Sequence, residues 1–205
     1  MSDSLHPKFA KPDHPILDML SKRWSPYVFA AMSVKEADLI SLFEAARWAA
    51  SSYNEQPWRF ILATRRDADD YNKMLSCLVE ANQAWAKTAP VLVIGCYQES
   101  FSRNGKPNGC AAHDLGLAIG NISAEATARD LAVHPMAGIL PDRVRELYHV
   151  PAGVVPMVAL AIGYPAPPDQ IPENMREQEL SPRTRKTLAE FVFGQAWGQG
   201  AKVFR

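Results

Sequence analysis

The sequence predicts an α+β protein. Strand-like apolar runs stand among segments whose apolar residues recur at helical spacing. Prolines and clusters of turn-forming residues separate most of these segments, which limits where each can begin or end. At 205 residues and 22.7 kDa, with 47% hydrophobic residues, the chain fits a single domain with ample material for a core. The strand-like runs are Trp58–Ala63, Val91–Tyr97 and Val154–Gly163.

The charge balance argues against two classes of partner. The chain carries 22 basic and 22 acidic residues, so it lacks the basic excess on which nucleic-acid and membrane-surface binding depend. Zero net charge is compatible with self-association. The longest apolar run, residues 154–162, is interrupted by Pro156 and is far shorter than the roughly 20 residues of a membrane-spanning helix.

The cysteines and the amino terminus predict a cytoplasmic protein. Cys77, Cys96 and Cys110 are too few and too scattered for a disulfide framework, which favours a reducing compartment. No apolar run follows a basic start in the first residues of the chain, so we expect no signal peptide.

Capping residues predict where the helices begin. Asp13 is a candidate N-cap for a short helix over about residues 14–22. Ser33 and Glu36 form a capping-box pair that would open a second helix. Asp67 is the expected cap of a third helix, and Pro141 opens one over residues 140–148.

A long helix is predicted from residue 111 to residue 133. Small and apolar residues stand on nearly all its sides, which is typical of a buried helix. Gly116 and Gly120 would let another backbone approach closely. His113 and Asp114 are neighbours here, but no other ligand has the spacing of a metal site, so we expect no metal.

The stretch Ala45–Phe60, AARWAASSYNEQPWRF, changes from an Ala-rich helix to a polar bend and then to a strand. Pro57 cannot donate a backbone hydrogen bond and disfavours a helical Gln56, so the helix must end before it. An ordinary connection is one interpretation, because Ser and Asn clusters mark loops. The other is a resemblance: SSYNEQPWRF is similar to the S-S-x-N-x-Q-P-W-x-F signature of FMN-dependent nitroreductase-like flavoproteins, with seven identities in ten residues.

This resemblance covers about residues 14–198 and implies a fold, an assembly and a cofactor. The implied fold is a central mixed or antiparallel sheet flanked by helices. The implied assembly is a homodimer with two FMN sites at its interface, and with the helix that contains Asp114, Gly116 and Ala118 at its core.

Basic residues near both ends of the chain match the part of the family pattern that contacts the FMN phosphate. The segment after Lys22 resembles an R-x-S-x-R/K-x-F motif, in which Tyr27 replaces a second cation. An R-x-R pair near the carboxyl end would compensate for that loss, and a solvated tail is the alternative. The residues implied at the phosphate end are Arg23, Ser25, Tyr27, Arg183 and Arg185.

Small and amide residues complete the implied FMN site. The family places short polar side chains or bare backbone against the ring carbonyls and N3–H. It also has a P-x-x-G turn whose N–H groups point at flavin N5 and O4, and here Ala137 replaces its usual Glu. The residues implied around the ring are Ala50, Ser51, Ser52, Asn54, Gln56, Asn82, Pro135, Met136, Ala137 and Gly138.

Two outer segments complete the sequence-based picture. Residues 98–109 are rich in turn formers and predict a surface loop. The resemblance makes Phe101 and Arg103 in that loop candidates for substrate or cofactor contact, with a solvated loop as the alternative. An extended arm is predicted over about residues 165–205. Phe191, Phe193 and Trp197 in this arm are too apolar for a free tail and suggest docking onto a partner subunit.

The implied activity needs no catalytic side chain. FMN would carry the chemistry, so the protein need only bind, orient and tune it. NAD(P)H is the implied donor, and a nitroaromatic, quinone or similar electrophile is the implied acceptor in a ping-pong reaction. The chain has no Gly-x-Gly-x-x-Gly after a strand, no Walker loop, no His-Glu-x-x-His and no Gly-x-Ser-x-Gly.

Two alternatives stay open. Tyr27, Ala137 and Trp85 depart from the family pattern, Trp85 at a position that is Lys in some members. These departures suggest a flavin-binding or flavin-storage protein without reductase turnover. The third interpretation is a helical interaction protein that binds no flavin.

Overall fold

The computed structural model describes residues 6–204, in which the chain forms seven α-helices and one four-stranded sheet. Residues 1–5 and 205, the ends of the predicted 1–205 domain and of its arm, lie outside the described residues. The helices are α1 (Asp18–Lys22), α2 (Glu36–Arg47), α3 (Ala68–Leu75), α4 (Glu80–Ala86), α5 (Ala111–Ala128), α6 (Pro141–Tyr148) and α7 (Glu173–Leu180). The strands are β1 (Trp58–Thr64), β2 (Val91–Gln98), β3 (Ala132–Met136) and β4 (Val154–Gly163).

The sheet has the order β1-β2-β4-β3, and every neighbouring pair is antiparallel. Strands β1 and β3 therefore form its two edges. This arrangement confirms the α+β fold, and the three predicted strands lie within one residue of their expected bounds.

Helices cover both faces of the sheet. Side chains alternate along β2, so that Val91 and Val93 pack against α2 and α5, while Leu92 and Ile94 pack against α3, α4 and α6. The sheet is therefore the middle layer of three, and both of its faces are buried.

The long helix differs from its prediction in two ways. It ends at Ala128, and Asp130 then takes a positive φ of 58° that turns the chain into β3. The expectation that the helix continued to residue 133 was therefore wrong. One face of α5 is also exposed, with Gly116 and Gly120 open to solvent and Leu117 39% exposed, because only the opposite face packs on the sheet and α2.

Two predicted caps are wrong and one is confirmed. Asp67 accepts a hydrogen bond from the amide of Asp70 at 3.0 Å and caps α3. Ser33 caps nothing, because Lys35 remains extended and is the residue that precedes α2. Asp13 also precedes no helix, since α1 begins only at Asp18.

The carboxyl-terminal segment is more structured than predicted. Helix α7 occupies part of the stretch that was expected to be extended. Farther on, Phe193 pairs with Gly200 in an isolated bridge, and Trp197 lies between them with 92% of its surface exposed. Docking of this segment onto a partner stays a prediction. No helix within residues 6–204 has both the length and the apolar character needed to cross a membrane.

Candidate functional site

Three arginines lie together beside the carboxyl end of α1. Arg23 follows α1, while Arg183 and Arg185 follow α7, so distant parts of the chain meet here. Arg23 Nη1 donates to Ser25 Oγ at 3.2 Å, and Arg183 Nη2 donates to the backbone oxygen of Ser21 at 2.8 Å. Among the described residues, no carboxylate forms an ion pair with any of the three guanidiniums.

The titration of this arginine cluster reflects its burial and its like charges. Burial lowers the pKa of Arg23, and the neighbouring Arg185 lowers it further. Burial is also the main cause that lowers the pKa of Arg183, followed by the charges of Arg23 and Arg185. A bound anion would favour the charged forms, and a phosphate offers several acceptor oxygens to such a set of guanidiniums.

Tyr27, the remaining residue predicted at the phosphate end, packs among aromatic rings instead. Its ring centroid lies 5.0 Å from that of Trp85 and 4.6 Å from that of His134. Trp85 is 9% exposed and lies 4.3 Å from His134. Tyr27, Trp85 and His134 therefore form an aromatic cluster.

His134 is a residue of this region to which the sequence reasoning assigned no role. Its Nδ1 lies 2.9 Å from the backbone oxygen of Pro26, so in the neutral ring Nδ1 carries the hydrogen and Nε2 is an acceptor. Burial lowers the pKa of His134, the bond to Pro26 opposes that shift, and the charge of Arg23 adds to it. Burial and the charge of Arg23 therefore both disfavour the charged form of this ring.

Asn82 and Gly138 are in direct contact. Asn82 Nδ2 donates to the oxygen of Gly138 at 3.1 Å, and the amide of Val79 donates to the same oxygen at 3.0 Å. A Cβ at position 138 would lie 2.5 Å from Asn82 Nδ2 and 2.7 Å from Val79 Cγ2, so only glycine fits. Two of the predicted cofactor-binding residues are therefore neighbours in the fold, and their contact with a flavin stays a prediction.

The predicted turn over residues 135–138 is wrong in its first half. Pro135 and Met136 belong to β3 and pair with Leu160 and Ala159 of β4. Pro135 is tolerated because β3 is an edge strand, where a missing N–H leaves no ladder partner unsatisfied. The chain leaves the sheet only at Ala137, which is exposed.

The polar segment Ser51–Gln56 is held in shape by its own side chains. Ser51 Oγ accepts the amide hydrogen of Gln56 at 3.0 Å, and Gln56 Nε2 donates to the oxygen and Oδ1 of Asn54 at 3.1 Å. The amide of Ser52 donates to Oδ2 of the buried Asp114 at 2.9 Å, which joins the segment to α5. Ala50, just before it, is exposed.

Backbone strain is concentrated in this polar segment. Tyr53, Asn54 and Gln56 have φ values of 53°, 56° and 53°, which non-glycine residues adopt rarely. Such strain persists only where the surrounding structure holds it, and it often marks functional sites. The sequence predicted a bend here but gave no sign that three residues would be left-handed.

The predicted site residues form two groups on opposite edges of the sheet. The arginine cluster, Asn82 and Gly138 lie on the side of β3, whereas Ser51–Gln56 precede β1. Three interstrand spacings of about 4.8 Å separate those edges, or about 14 Å. Among the described residues, no side-chain hydrogen bond joins the two groups.

Glu179 is a buried residue that the sequence reasoning missed. It is 1% exposed, and its Oε1 accepts the amides of Tyr27 at 2.8 Å and Val28 at 2.7 Å. Burial raises the pKa of Glu179, although both amides and the charge of Lys8 oppose the rise. Glu179 is one of three glutamates in α7, and nothing in the sequence distinguishes it for this role, which is to hold the backbone at Tyr27 and Val28.

Three cavities of the single chain are lined by other residues. Three cavities of about 290, 290 and 250 Å³ are lined by none of the predicted cofactor-binding residues. Within residues 6–204, no three His, Cys, Asp or Glu side chains are arranged as a metal site.

Comparison with known proteins identifies the family. The family model described as the nitroreductase family matches residues 20–164. A relative from Methanothermobacter thermautotrophicus, which carries the provisional name NADH dehydrogenase/NAD(P)H nitroreductase, is 30% identical over 158 residues that cover 74% of this chain and 78% of the relative. The chain belongs to the nitroreductase family.

Solved structures agree with this assignment. A crystal structure described as an oxidoreductase containing FMN superposes with a TM-score of 0.85 at 30% identity, and covers 96% of this chain and 98% of its own. A nitroreductase family protein from Clostridium difficile has a TM-score of 0.67 at 22% identity over 87% of this chain and 96% of its own, and so supports the fold alone.

Proposed function

We propose that this chain is an FMN-dependent oxidoreductase that takes hydride from NAD(P)H and reduces nitroaromatic, quinone or similar electrophilic acceptors. The observation that carries the proposal is the arginine cluster of Arg23, Arg183 and Arg185, whose charges no described carboxylate neutralises. A phosphate monoester such as that of FMN would supply the missing negative charge. Membership of the nitroreductase family and the similar FMN-containing structure support this choice of cofactor.

The residues present fit FMN at both of its ends. The arginine cluster and Ser25 would hold the phosphate, and Asn82, which donates to the oxygen of Gly138, would lie toward the ring. Ser51–Gln56 would supply short polar groups to the ring carbonyls. Bound FMN would supply the redox chemistry, and the side chains would bind and orient it.

We also propose a homodimer, in which Ser51–Gln56 of one chain complete the site begun by the arginine cluster of the other. The association of the two groups with opposite edge strands of the sheet, which are three interstrand spacings or about 14 Å apart, supports this arrangement. So does the exposed face of α5, where Gly116 and Gly120 would let a second backbone approach.

We further propose that the chain is one domain and that it works in the cytoplasm. Both hydrophobic cores are built on the same sheet, which supports a single domain. Cys77, Cys96 and Cys110 are free thiols, as expected in a reducing compartment.

A second candidate, a flavin-binding protein without reductase turnover, is favoured by one observation. The aromatic cluster of Tyr27, Trp85 and His134 carries no cation, and burial lowers the pKa of His134, so nothing there would stabilise an anionic reduced flavin. The two candidates share the cofactor and differ in whether a nicotinamide donor reduces it.

Absorbance spectroscopy tests both candidates. The purified protein is mixed with FMN, desalted and scanned, and NADH or NADPH is then added without oxygen. We expect about one retained FMN per chain and bleaching of the flavin by at least one donor. Retained FMN that neither donor bleaches would support the carrier, and a colourless protein would contradict both candidates.

A further inference from the structure

Tyr53, Phe101 and Arg103 form an exposed cluster next to the polar segment. The Arg103 guanidinium carbon lies 4.0 Å from the ring centroid of Tyr53 and 5.2 Å from that of Phe101. The two aromatic rings meet edge to face at 5.8 Å. Tyr53 is nevertheless 74% exposed, so most of the cluster is open to a ligand.

The loop that carries this cluster has a defined shape. The amide of Ser102 donates to Glu55 Oε1 at 2.8 Å, which ties the loop to the polar segment. The amide of Phe101 donates to the oxygen of Lys106 at 2.9 Å, and Ser100 pairs with Pro107. The predicted surface loop over residues 98–109 thus begins after Gln98, the last residue of β2, and backbone hydrogen bonds close it on both sides of Arg103.

The strain in the polar segment favours a binding role for this cluster. Tyr53 keeps a φ of 53°, and this conformation directs its ring toward Arg103 and Phe101. A left-handed backbone conformation is costly for a residue with a large side chain. If the loop were only solvated, nothing would offset that cost at Tyr53.

The charge of Arg103 is also unused within the described residues, where no carboxylate forms an ion pair with it. A guanidinium that lies over an aromatic ring still has N–H donors along its edge for a planar anion such as a carboxylate. The neighbouring rings offer a surface for stacking at the same time.

We propose that Tyr53, Phe101 and Arg103 select aromatic ligands that carry an anionic group. The rings would stack on the aromatic body, and Arg103 would pair with the anion. That this cluster lies beside a flavin rests on the proposed function, because it depends on the assignment of Ser51–Gln56 to the FMN site.

Two kinds of molecule share this chemistry. One is an electron acceptor with a carboxylate on its ring. The other is a nicotinamide donor, in which NADPH has one phosphate more than NADH. The matched probes are therefore para-nitrobenzoate against the uncharged para-nitrobenzamide, and NADPH against NADH.

The test compares wild type with Arg103→Gln and with the control Lys106→Gln, which removes an exposed cation from the same loop. FMN content is first measured by absorbance for each protein. The dissociation constant of each nitro compound is then measured by equilibrium dialysis, and kcat/KM is measured for every probe.

We expect Arg103→Gln to weaken binding of para-nitrobenzoate about fivefold to tenfold, and that of para-nitrobenzamide much less. Lys106→Gln should keep the wild-type ratio of the two constants. A selective loss for para-nitrobenzoate assigns the cluster to the acceptor, and a selective loss for NADPH assigns it to the donor.

Two results together would overturn the inference. The ratio of the dissociation constants of para-nitrobenzoate and para-nitrobenzamide would be the same in wild type and Arg103→Gln, and so would the ratio of kcat/KM for NADPH and NADH. A protein that retains no FMN would refute the proposed function instead. Dialysis of the two nitro compounds would still decide whether Arg103 recognises the anion, because that measurement needs no turnover.

Discussion

Arg23 is the residue that best tests the phosphate assignment. Arg23→Ala removes one of three clustered guanidiniums and should weaken FMN binding about tenfold to a hundredfold, as expected for the loss of a charge-assisted contact. The fold should persist, because burial and Arg185 already disfavour the charge of Arg23. FMN affinity is measured by fluorescence titration, and the fold by circular dichroism.

Lys22 provides the matched control for Arg23. Its ammonium pairs with Asp18 at 3.3 Å and is 48% exposed, so Lys22→Ala removes a neighbouring positive charge outside the cluster. Lys22→Ala should leave FMN affinity nearly unchanged. Equal affinities in Arg23→Ala and wild type would show that the phosphate assignment is wrong.

Glu179 predicts a pH dependence of stability. Burial raises the pKa of Glu179 above its ordinary value of 4.5, so the folded state binds this proton more tightly than the unfolded state. The free energy of unfolding should therefore fall as pH rises above about 4.5, until the folded-state pKa is passed. Glu179→Gln should lack this part of the pH dependence, and urea unfolding between about pH 4 and pH 8 measures it.

The exposed Glu177 on the same helix is the control for Glu179. Glu177→Gln should keep the wild-type pH dependence, because its carboxylate is in solvent. Glu179→Ala should be less stable than Glu179→Gln by about 1–3 kcal/mol, because it leaves the buried amides of Tyr27 and Val28 without an acceptor. A Glu179→Gln profile parallel to wild type would contradict the argument.

At the scale of single residues, the sequence predicted local contacts better than contacts between residues far apart in the chain. Asp67 was a correct cap because its position three residues before Asp70 determines the bond locally. The predicted cap at Ser33 was wrong because the chain stays extended through Lys35. This conformation places Val34 in the core, which local sequence does not predict. Glu179 could not be predicted, because its partners lie about 150 residues away in the chain.

At the scale of elements, the exposed face of α5 leads to a test of association. A Cβ at Gly116 or Gly120 would meet nothing within 4 Å in the single chain. Alanine there should stabilise an isolated helix by about 0.5–1 kcal/mol. If a second backbone packs on this face, however, Gly116→Leu and Gly120→Leu should separate the dimer into single chains, which sedimentation velocity would measure.

Ala37→Leu is the control for these glycine variants, since Ala37 is exposed on α2. It should leave the sedimentation coefficient at the wild-type value. Glycine variants that remain as associated as wild type, or a wild type that is itself monomeric, would refute the proposed interface.

Element boundaries were predictable where a local signal marked them. Pro141 opens α6 at the expected residue, and β4 has its predicted bounds. The end of α5 was not predictable, because Ala132 and Val133 are equally compatible with a helix and with β3. Their pairing with Gly163 and Ile162 of β4, thirty residues later in the chain, decides between these two structures.

At the scale of the whole molecule, the resemblance implied a set of site residues, but sequence patterns did not predict where the fold places them. The order β1-β2-β4-β3 depends on non-local pairing, so sequence patterns alone could not place Ser51–Gln56 and the arginine cluster on opposite edges. Only the resemblance implied two chains, and the homodimer stays a prediction.

A mixed-dimer experiment tests this division of the site. Arg23→Ala damages the arginine cluster, and Ser52→Trp obstructs the polar segment while it keeps the backbone bond from Ser52 to Asp114. Each variant alone should bind FMN poorly, because every site in its homodimer contains one damaged group. In a mixed dimer, one site combines both damaged groups and the other combines both intact groups.

Co-expression of the two variants with different affinity tags isolates the mixed dimer. We expect it to retain about one FMN per dimer at wild-type affinity, against two in wild type, measured by absorbance after desalting. If each site were instead built within one chain, every chain of the mixed dimer would carry a damaged site, and no tight FMN binding would return. Recovery of half of the FMN sites would therefore show that each site is shared between two chains. Complementation of this kind is possible only if an intact arginine cluster of one chain meets an intact polar segment of the other.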